Sequence, residues 1–313
     1  MKSPELFNYE LRPCKFAERR MLLASLYRIV GVLKCEYQYI GFGGLTFTDF
    51  KLFHKELNIN QMYSIENCFT PAKLEFNKPF SCITILHGKS SHMLLKSNLS
   101  KPSIVWLDYD GCLTPDVFTD INILFNALPH GSIYIMSCNR QLQNNDADPQ
   151  RPYTKDELNT IFPGLVPFEL EENCCAEINT PLTIKKMIHS FCSRTLSERC
   201  RIEDSLLRFK PLYNIKYKER QGAGMYTFGG IILNDKFRDD DIIFNEFECL
   251  NQDTPFEIDI PNLTHKESIY LNQIINIVEE EQKFIENGIV KGKDLAKYKQ
   301  FYKYMPNYYD VRL

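Results

Sequence analysis

Tyr39-Ile40-Gly41-Phe42-Gly43-Gly44, followed by Tyr63-Ser64-Ile65-Glu66, decides the fold of this chain. An apolar strand runs into a glycine turn, a helix intervenes, and a second strand ends in an acid. That order builds a nucleotide pocket. Glycines let backbone approach a ligand where a Cβ would intrude, and an acid ending the next strand can accept both hydroxyls of a ribose. Gly43 to Glu66 spans 23 positions, close to the roughly 20 expected of such a unit.

Outward from this stretch, strands and helices alternate. Strands are expected at 37–42, 62–66, 82–87, 103–109 and 131–138, with helices at 47–57, 70–77, 91–98 and 116–127. Five strands separated by helices imply a parallel sheet with right-handed crossovers. Upstream, 14–34 reads as an amphipathic helix, with Phe16, Met21, Leu22, Leu26 and Ile29 on one side and Lys15, Arg19 and Arg20 on a solvated basic face. Downstream come a polar loop over 140–155, a helix over 181–207, a hairpin from two β-rich runs (210–217 and 225–233), and a helical tail from about 257. The expected class is α/β: a three-layer Rossmann-like sheet of about seven strands, five parallel plus the hairpin, with helical extensions at both ends. The corresponding division is 1–34, 35–250 and 251–313.

With 313 residues, 44% hydrophobic and 25% charged, the composition is that of an ordinary globular protein. A net charge of −3 provides no global attraction for a phosphate backbone, so nucleic-acid binding is not indicated. Eleven cysteines show no CxxC pair and no zinc spacing, so reduced thiols are expected and no metal centre is called. No apolar run approaches the length of a membrane span, and Met1-Lys2-Ser3-Pro4-Glu5 does not begin a signal peptide. Cytoplasmic location without membrane association is the expectation.

In open parallel sheets, ligands bind beyond the carboxyl ends of the strands. Those positions are Gly41 to Gly44, Glu66-Asn67, His87-Gly88-Lys89-Ser90, Asp108-Tyr109-Asp110 and Cys138-Asn139-Arg140. Thr46 and Asp49 make a capping-box-like pair for the helix after the glycine turn, and Asp49 could also reach a cationic ligand group. Gly88-Lys89-Ser90 mimics the end of a P-loop, but Ile83 stands where that motif needs its first glycine.

This plan resembles the class I S-adenosylmethionine-dependent methyltransferases over about residues 37–235. The resemblance implies that Gly41, Phe42, Gly43 and Gly44 wrap the methionine part of the cofactor, that Glu66 with Asn67 beside it holds the ribose, and that His87, Gly88 and Lys89 flank adenine. It also implies that Asp108, Tyr109 and Asp110 face the methyl group and acceptor. Tyr39 departs from the family, standing where an acid is usual two positions before the first glycine. More narrowly, Leu11-Arg12-Pro13, Glu18-Arg19-Arg20-Met21, Gly41-Phe42-Gly43, Asp49-Phe50, Ser64-Ile65-Glu66 and Trp106-Leu107-Asp108-Tyr109-Asp110 look like a bacterial group of O-methyltransferases found in phage-defence gene neighbourhoods.

Methyl transfer is an in-line displacement in which positioning does most of the work, with a general base when the acceptor is a hydroxyl. Asp108 or Asp110 is the candidate base. The two carboxylates with Asn139 could instead hold a metal, or the two acids could merely cap a helix. Base N-methylation is disfavoured because Asp108-Tyr109-Asp110-Gly111 lacks the Asn/Asp-Pro-Pro-aromatic signature. Two rivals remain. Asp108-Tyr109-Asp110-Gly111-Cys112-Leu113 also resembles the nucleophile strand of haloacid-dehalogenase-like phosphatases, with Ser137 to hold a phosphoryl group. A non-catalytic cofactor-binding module acting through a protein partner is the other.

Overall fold

The computed structural model describes residues 12–144, 150–203, 206–219, 222–242 and 244–305. Helix α1 (Pro13–Leu33) begins with proline in its first turn, where the missing N–H costs nothing, and stops at Lys34, whose left-handed conformation (φ 52°) lets its N–H reach Val30 O. The alternating series follows: β1 (Gln38–Gly41), α2 (Thr48–Leu57), β2 (Met62–Glu66), α3 (Pro71–Asn77), β3 (Ile83–His87), α4 (Ser90–Met93), β4 (Ser103–Cys112), α5 (Pro115–Phe125) and β5 (Ile133–Asn139). The helix expected over 91–98 is thus one α-turn continued by a 3-10 turn at Leu94–Lys96.

The 140–155 loop carries a two-rung hairpin, β6 (Gln143–Asn144) with β7 (Arg151–Pro152), before α6 (Lys155–Ile161). Its segment 145–149 lies outside the described residues. Helix α7 (Thr180–Glu203) leads to the expected hairpin, β8 (Leu207–Lys218) with β9 (Gly224–Asn234). Residues 220–221 of its turn, Leu11 and the Tyr308-Tyr309 pair are likewise outside the description.

One sheet carries eight strands in the order β10-β8-β9-β5-β4-β1-β2-β3, where β10 is Phe256–Ile258. This corrects the count of seven: β10 is a three-residue strand, too short to show a period in the sequence, and pairs parallel to β8. In the sheet β9 alone runs against the other strands. The order reverses between β1 and β4, both parallel at that join, and a crevice opens at the carboxyl ends of strands at such a switch point.

Alternate residues of the central strands feed two cores. Tyr39, Ile104 and Trp106 face α1 and α2, while Ile40, Val105 and Leu107 face α5 and α7. Burial on both faces explains why these strands read as continuous apolar runs. Beyond β10, helices α8 (His265–Ile274), α9 (Val278–Glu286) and α10 (Gly292–Phe301) enclose a small core of their own around Leu271, Phe284, Leu295 and Tyr298. Helix α1, by contrast, belongs to the main core, as do Ile258 of β10 and Phe301 of α10. Among the described residues, no helix is long and apolar enough to cross a membrane.

Candidate functional site

The glycine turn is held by its own protein before any ligand is considered. A Cβ on Gly41 would lie 2.5 Å from the Tyr39 hydroxyl and 2.9 Å from Trp106 O, and one on Gly43 would strike Ser64 Oγ and, at 2.8 Å, the Phe47 ring. Gly44 differs: its φ is +55° and a Cβ there meets nothing within 4 Å. Two glycines therefore serve internal packing, and the third gives the turn its left-handed residue. Tyr39 fills the place of the usual acid as a buried ring set edge-on between Phe50 and Phe53 at 4.7 and 4.8 Å.

Across the turn, Glu66 Oε1 accepts the Gly44 N–H at 2.6 Å. Burial, reinforced by Asp110, pushes the Glu66 carboxyl above its ordinary value despite hydrogen bonds from Gly44 and Gly43. The acid ending β2 thus meets the glycine turn directly, as the sequence spacing requires. A narrow cleft lies here, with a cavity volume of about 60 Å³, lined by Arg19, Phe42 to Thr46, Thr48, Asp49, Glu66, Cys68, Phe69, Asp108 and Asp110.

The expected helix cap is not formed. Phe47, at φ 49°, is the N-cap of α2, Thr46 and Thr48 share a hydroxyl contact at 2.9 Å, and Asp49 turns inward. There its Oδ1 accepts from Arg19 Nε at 2.6 Å. The solvated basic face of α1 is corrected with it: Arg19 is buried and only Arg20 is exposed.

Lys15 departs furthest from its expected place. Its Nζ lies 2.8 Å from Asp108 Oδ2 and 2.8 Å from Glu18 Oε2, and 4.5 Å from the centre of the Trp106 ring. Burial pulls the Lys15 ammonium down, but Asp108 and Glu18 outweigh it and leave its pKa above the ordinary lysine value. The network continues inward: Thr227 donates to Glu18, Thr227 and Ser137 share a hydroxyl contact at 2.7 Å, and Trp106 Nε1 donates to Ser137 Oγ at 3.0 Å. Three strands and α1 are fastened through it. An unpaired charge at that depth would cost several kcal/mol, roughly, so Lys15, Glu18 and Asp108 stand or fall together. Lys15, Glu18 and Arg19 were missed in the sequence because charges in a helix were assigned to solvent. Their signal is the i, i+3, i+4 spacing of opposite charges on one stripe.

The structure brings Phe42, Gly43, Gly44, Asp49, Glu66, Asp108 and Asp110 together at the cleft, with Gly41 beneath it. The others do not line it. His87 pairs in register with Glu66, but its Nε2 is 2.9 Å from Phe69 O. Gly88 (φ 148°) donates its N–H to Glu66 O at 2.9 Å, and Lys89 pairs with Asp116 at 2.9 Å. Asn67 accepts from the Cys68 thiol at 3.2 Å. Asn139 accepts from Gln141 N at 3.0 Å and does not line the cleft; a bulge in β4 sets it opposite Cys112 instead of Asp110. Among the described residues no three His, Cys, Asp or Glu side chains form a metal-binding group. Ser137, the phosphoryl-holding residue of the phosphatase rival, is fully buried with its hydroxyl committed to Trp106 and Thr227.

Residues 7–313 match the family described as "Putative O-methyltransferase". The chain belongs to that family. Methyl transfer to oxygen is the family's described chemistry, which displaces the phosphatase reading. Among solved structures, the fold resembles a LepI variant in complex with SAH and a substrate analogue, at 11% identity and TM-score 0.34, covering 66% of this chain and 46% of that one. It also resembles Trm1 from Pyrococcus horikoshii with S-adenosyl-L-methionine, at 9% identity, TM-score 0.41 and coverage of 69% and 56%. A third is spermidine synthase from Thermotoga maritima, at 10% identity, TM-score 0.39 and coverage of 77% and 67%. The chain spans just under half the length of the first of these. Likenesses so distant assign no activity. No curated protein matches the sequence.

Proposed function

We propose that this O-methyltransferase family member binds S-adenosylmethionine in the cleft between the glycine turn and β4, and transfers its methyl group to an oxygen nucleophile. The observation that carries the reading is the meeting of Glu66 with the Gly44 N–H at the switch point of the sheet. The residues fit the cofactor. Gly44 presents open backbone, and Glu66 offers acceptor oxygens for ribose hydroxyls at the mouth of the cleft. Asp108 Oδ1 is buried without a hydrogen-bond partner among the described residues, an acceptor in want of a donor.

Bound there, S-adenosylmethionine supplies an electrophilic methyl group on a sulfonium. The chain's own residues position and screen. Phe42 sits edge-on to Tyr109 at 5.3 Å, and Tyr109 is pinned by donating to Asp120 at 2.8 Å, which gives the end of β4 a fixed wall. Asp108 Oδ2 is already engaged by the Lys15 ammonium at 2.8 Å. Asp110, exposed at the rim of the same cleft, is the base in this reading.

The acceptor is a hydroxyl-bearing molecule, and cytoplasmic location, a protein partner and a role in anti-phage defence belong to the same proposal. Motifs shared with a group from phage-defence neighbourhoods motivate the last. It is tested by the plating efficiency of phage on cells with wild-type protein against Glu66→Ala. For the activity itself, release of S-adenosylhomocysteine is followed with small phenols, polyols and cell extract as acceptors. Release that requires Glu66 and Asp110 supports the reading; release unchanged by Asp110→Asn removes Asp110 as the base.

A further inference from the structure

The charges around the cleft are arranged unevenly. Asp49, Glu66, Asp108 and Asp110 line it with a single cation among the described lining residues, Arg19. Lys15 does not line it and is occupied beneath by Asp108 and Glu18. The methionine part of S-adenosylmethionine is a zwitterion, so its carboxylate has one place in this lining where it meets a positive charge instead of a negative one. Arg19 and Glu66 stand on different elements, α1 and β2, so the one guanidinium of the lining, paired with Asp49 of α2, is set apart from the acid where the glycine turn meets β2.

We propose that Arg19 is a specificity-determining residue that takes the carboxylate of the methionine moiety and thereby sets the direction in which the cofactor lies, with its ribose toward Glu66. This rests on the cofactor reading above. Three features favour Arg19 for the task. Its side chain is 6% exposed, so a charge-assisted bond made there is poorly screened. Asp49 grips it through Nε at 2.6 Å, which fixes the plane of the guanidinium before a ligand arrives and lowers the ordering cost of binding. Asp108 Oδ1, also in the lining and without a hydrogen-bond partner among the described residues, supplies the negative neighbour that the adjoining ammonium requires. Sequence reading placed Arg19 on a solvated face, and none of the family motifs assigned it a ligand.

The test compares two ligands that differ only in the carboxylate: S-adenosylmethionine and its decarboxylated analogue, which keeps the sulfonium, ammonium and adenosine. Calorimetric titration of wild type is expected to favour the carboxylated form by about tenfold or more, the scale of one charge-assisted hydrogen bond. Arg19→Met is expected to bring the two affinities within about twofold, and Arg19→Lys, which keeps charge but not the fork, to fall between. Both variants are first checked for a wild-type circular dichroism spectrum. Equal weakening of both ligands in Arg19→Met, leaving the ratio intact, would show a merely structural role and overturn the proposal. Wild type that binds the decarboxylated form as well as or better than S-adenosylmethionine overturns it without recourse to any variant, while the cofactor site itself stands. Wild type that binds neither removes the cofactor reading and this proposal with it.

Discussion

The Tyr39 hydroxyl lies under Gly41, so close that a Cβ on that glycine would stand 2.5 Å from it. The residue that replaces the usual acid of the first strand is thus one reason the first glycine is required, the Trp106 carbonyl at 2.9 Å being another. Gly41→Ala is expected to destabilise the protein by about 1–3 kcal/mol, the range of core overpacking. Tyr39→Phe, which removes the clashing oxygen, should return part of that in the double variant. Urea denaturation of the four proteins measures it, and additive effects would separate the two residues.

Lys15→Met leaves Glu18 and Asp108 facing each other at a buried site without their shared cation. A loss of about 3–5 kcal/mol is expected, as for other broken buried ion pairs. Removal of Arg20, exposed on the same helix, should change the same denaturation curve by no more than about 0.5 kcal/mol.

Glu66 introduces a pH dependence of known sign. Its folded pKa is raised, chiefly by burial and further by Asp110. The stabilising contribution of the protonated form is therefore fully present below the unfolded carboxyl value, about 4.3, and is lost as pH rises through the raised folded value. Glu66→Gln removes this titration. Melting temperatures of the two proteins from pH 4 to 7 should show wild type losing ground to the variant as pH rises; a constant difference would contradict the assignment.

The parallel series was legible because each central strand is buried on both faces and bounded by helices, and β2 falls at the expected residues 62–66. The spacing from Gly43 to Glu66 located the cleft for the same local reason. What escaped the sequence depended on contacts between distant segments. Lys15 and Asp108 are far apart in the chain, and neither residue type at its own position announces the other. Thr46 and Asp49 have cap spacing, yet the left-handed Phe47 starts the helix one residue late and frees Asp49 for Arg19. Asn139 was drawn to the site by its place at a strand end, and a bulge in β4 sets it opposite Cys112 instead of Asp110.

The central claim is a cofactor cleft whose acid, Glu66, meets the ribose. It is tested most directly by calorimetric titration of S-adenosylhomocysteine into wild type and Glu66→Ala at neutral pH. Saturable 1:1 binding to wild type is expected, weakened by about 1–3 kcal/mol in the variant. No heat at millimolar ligand on folded wild-type protein, or equal affinity of the two proteins, would contradict it.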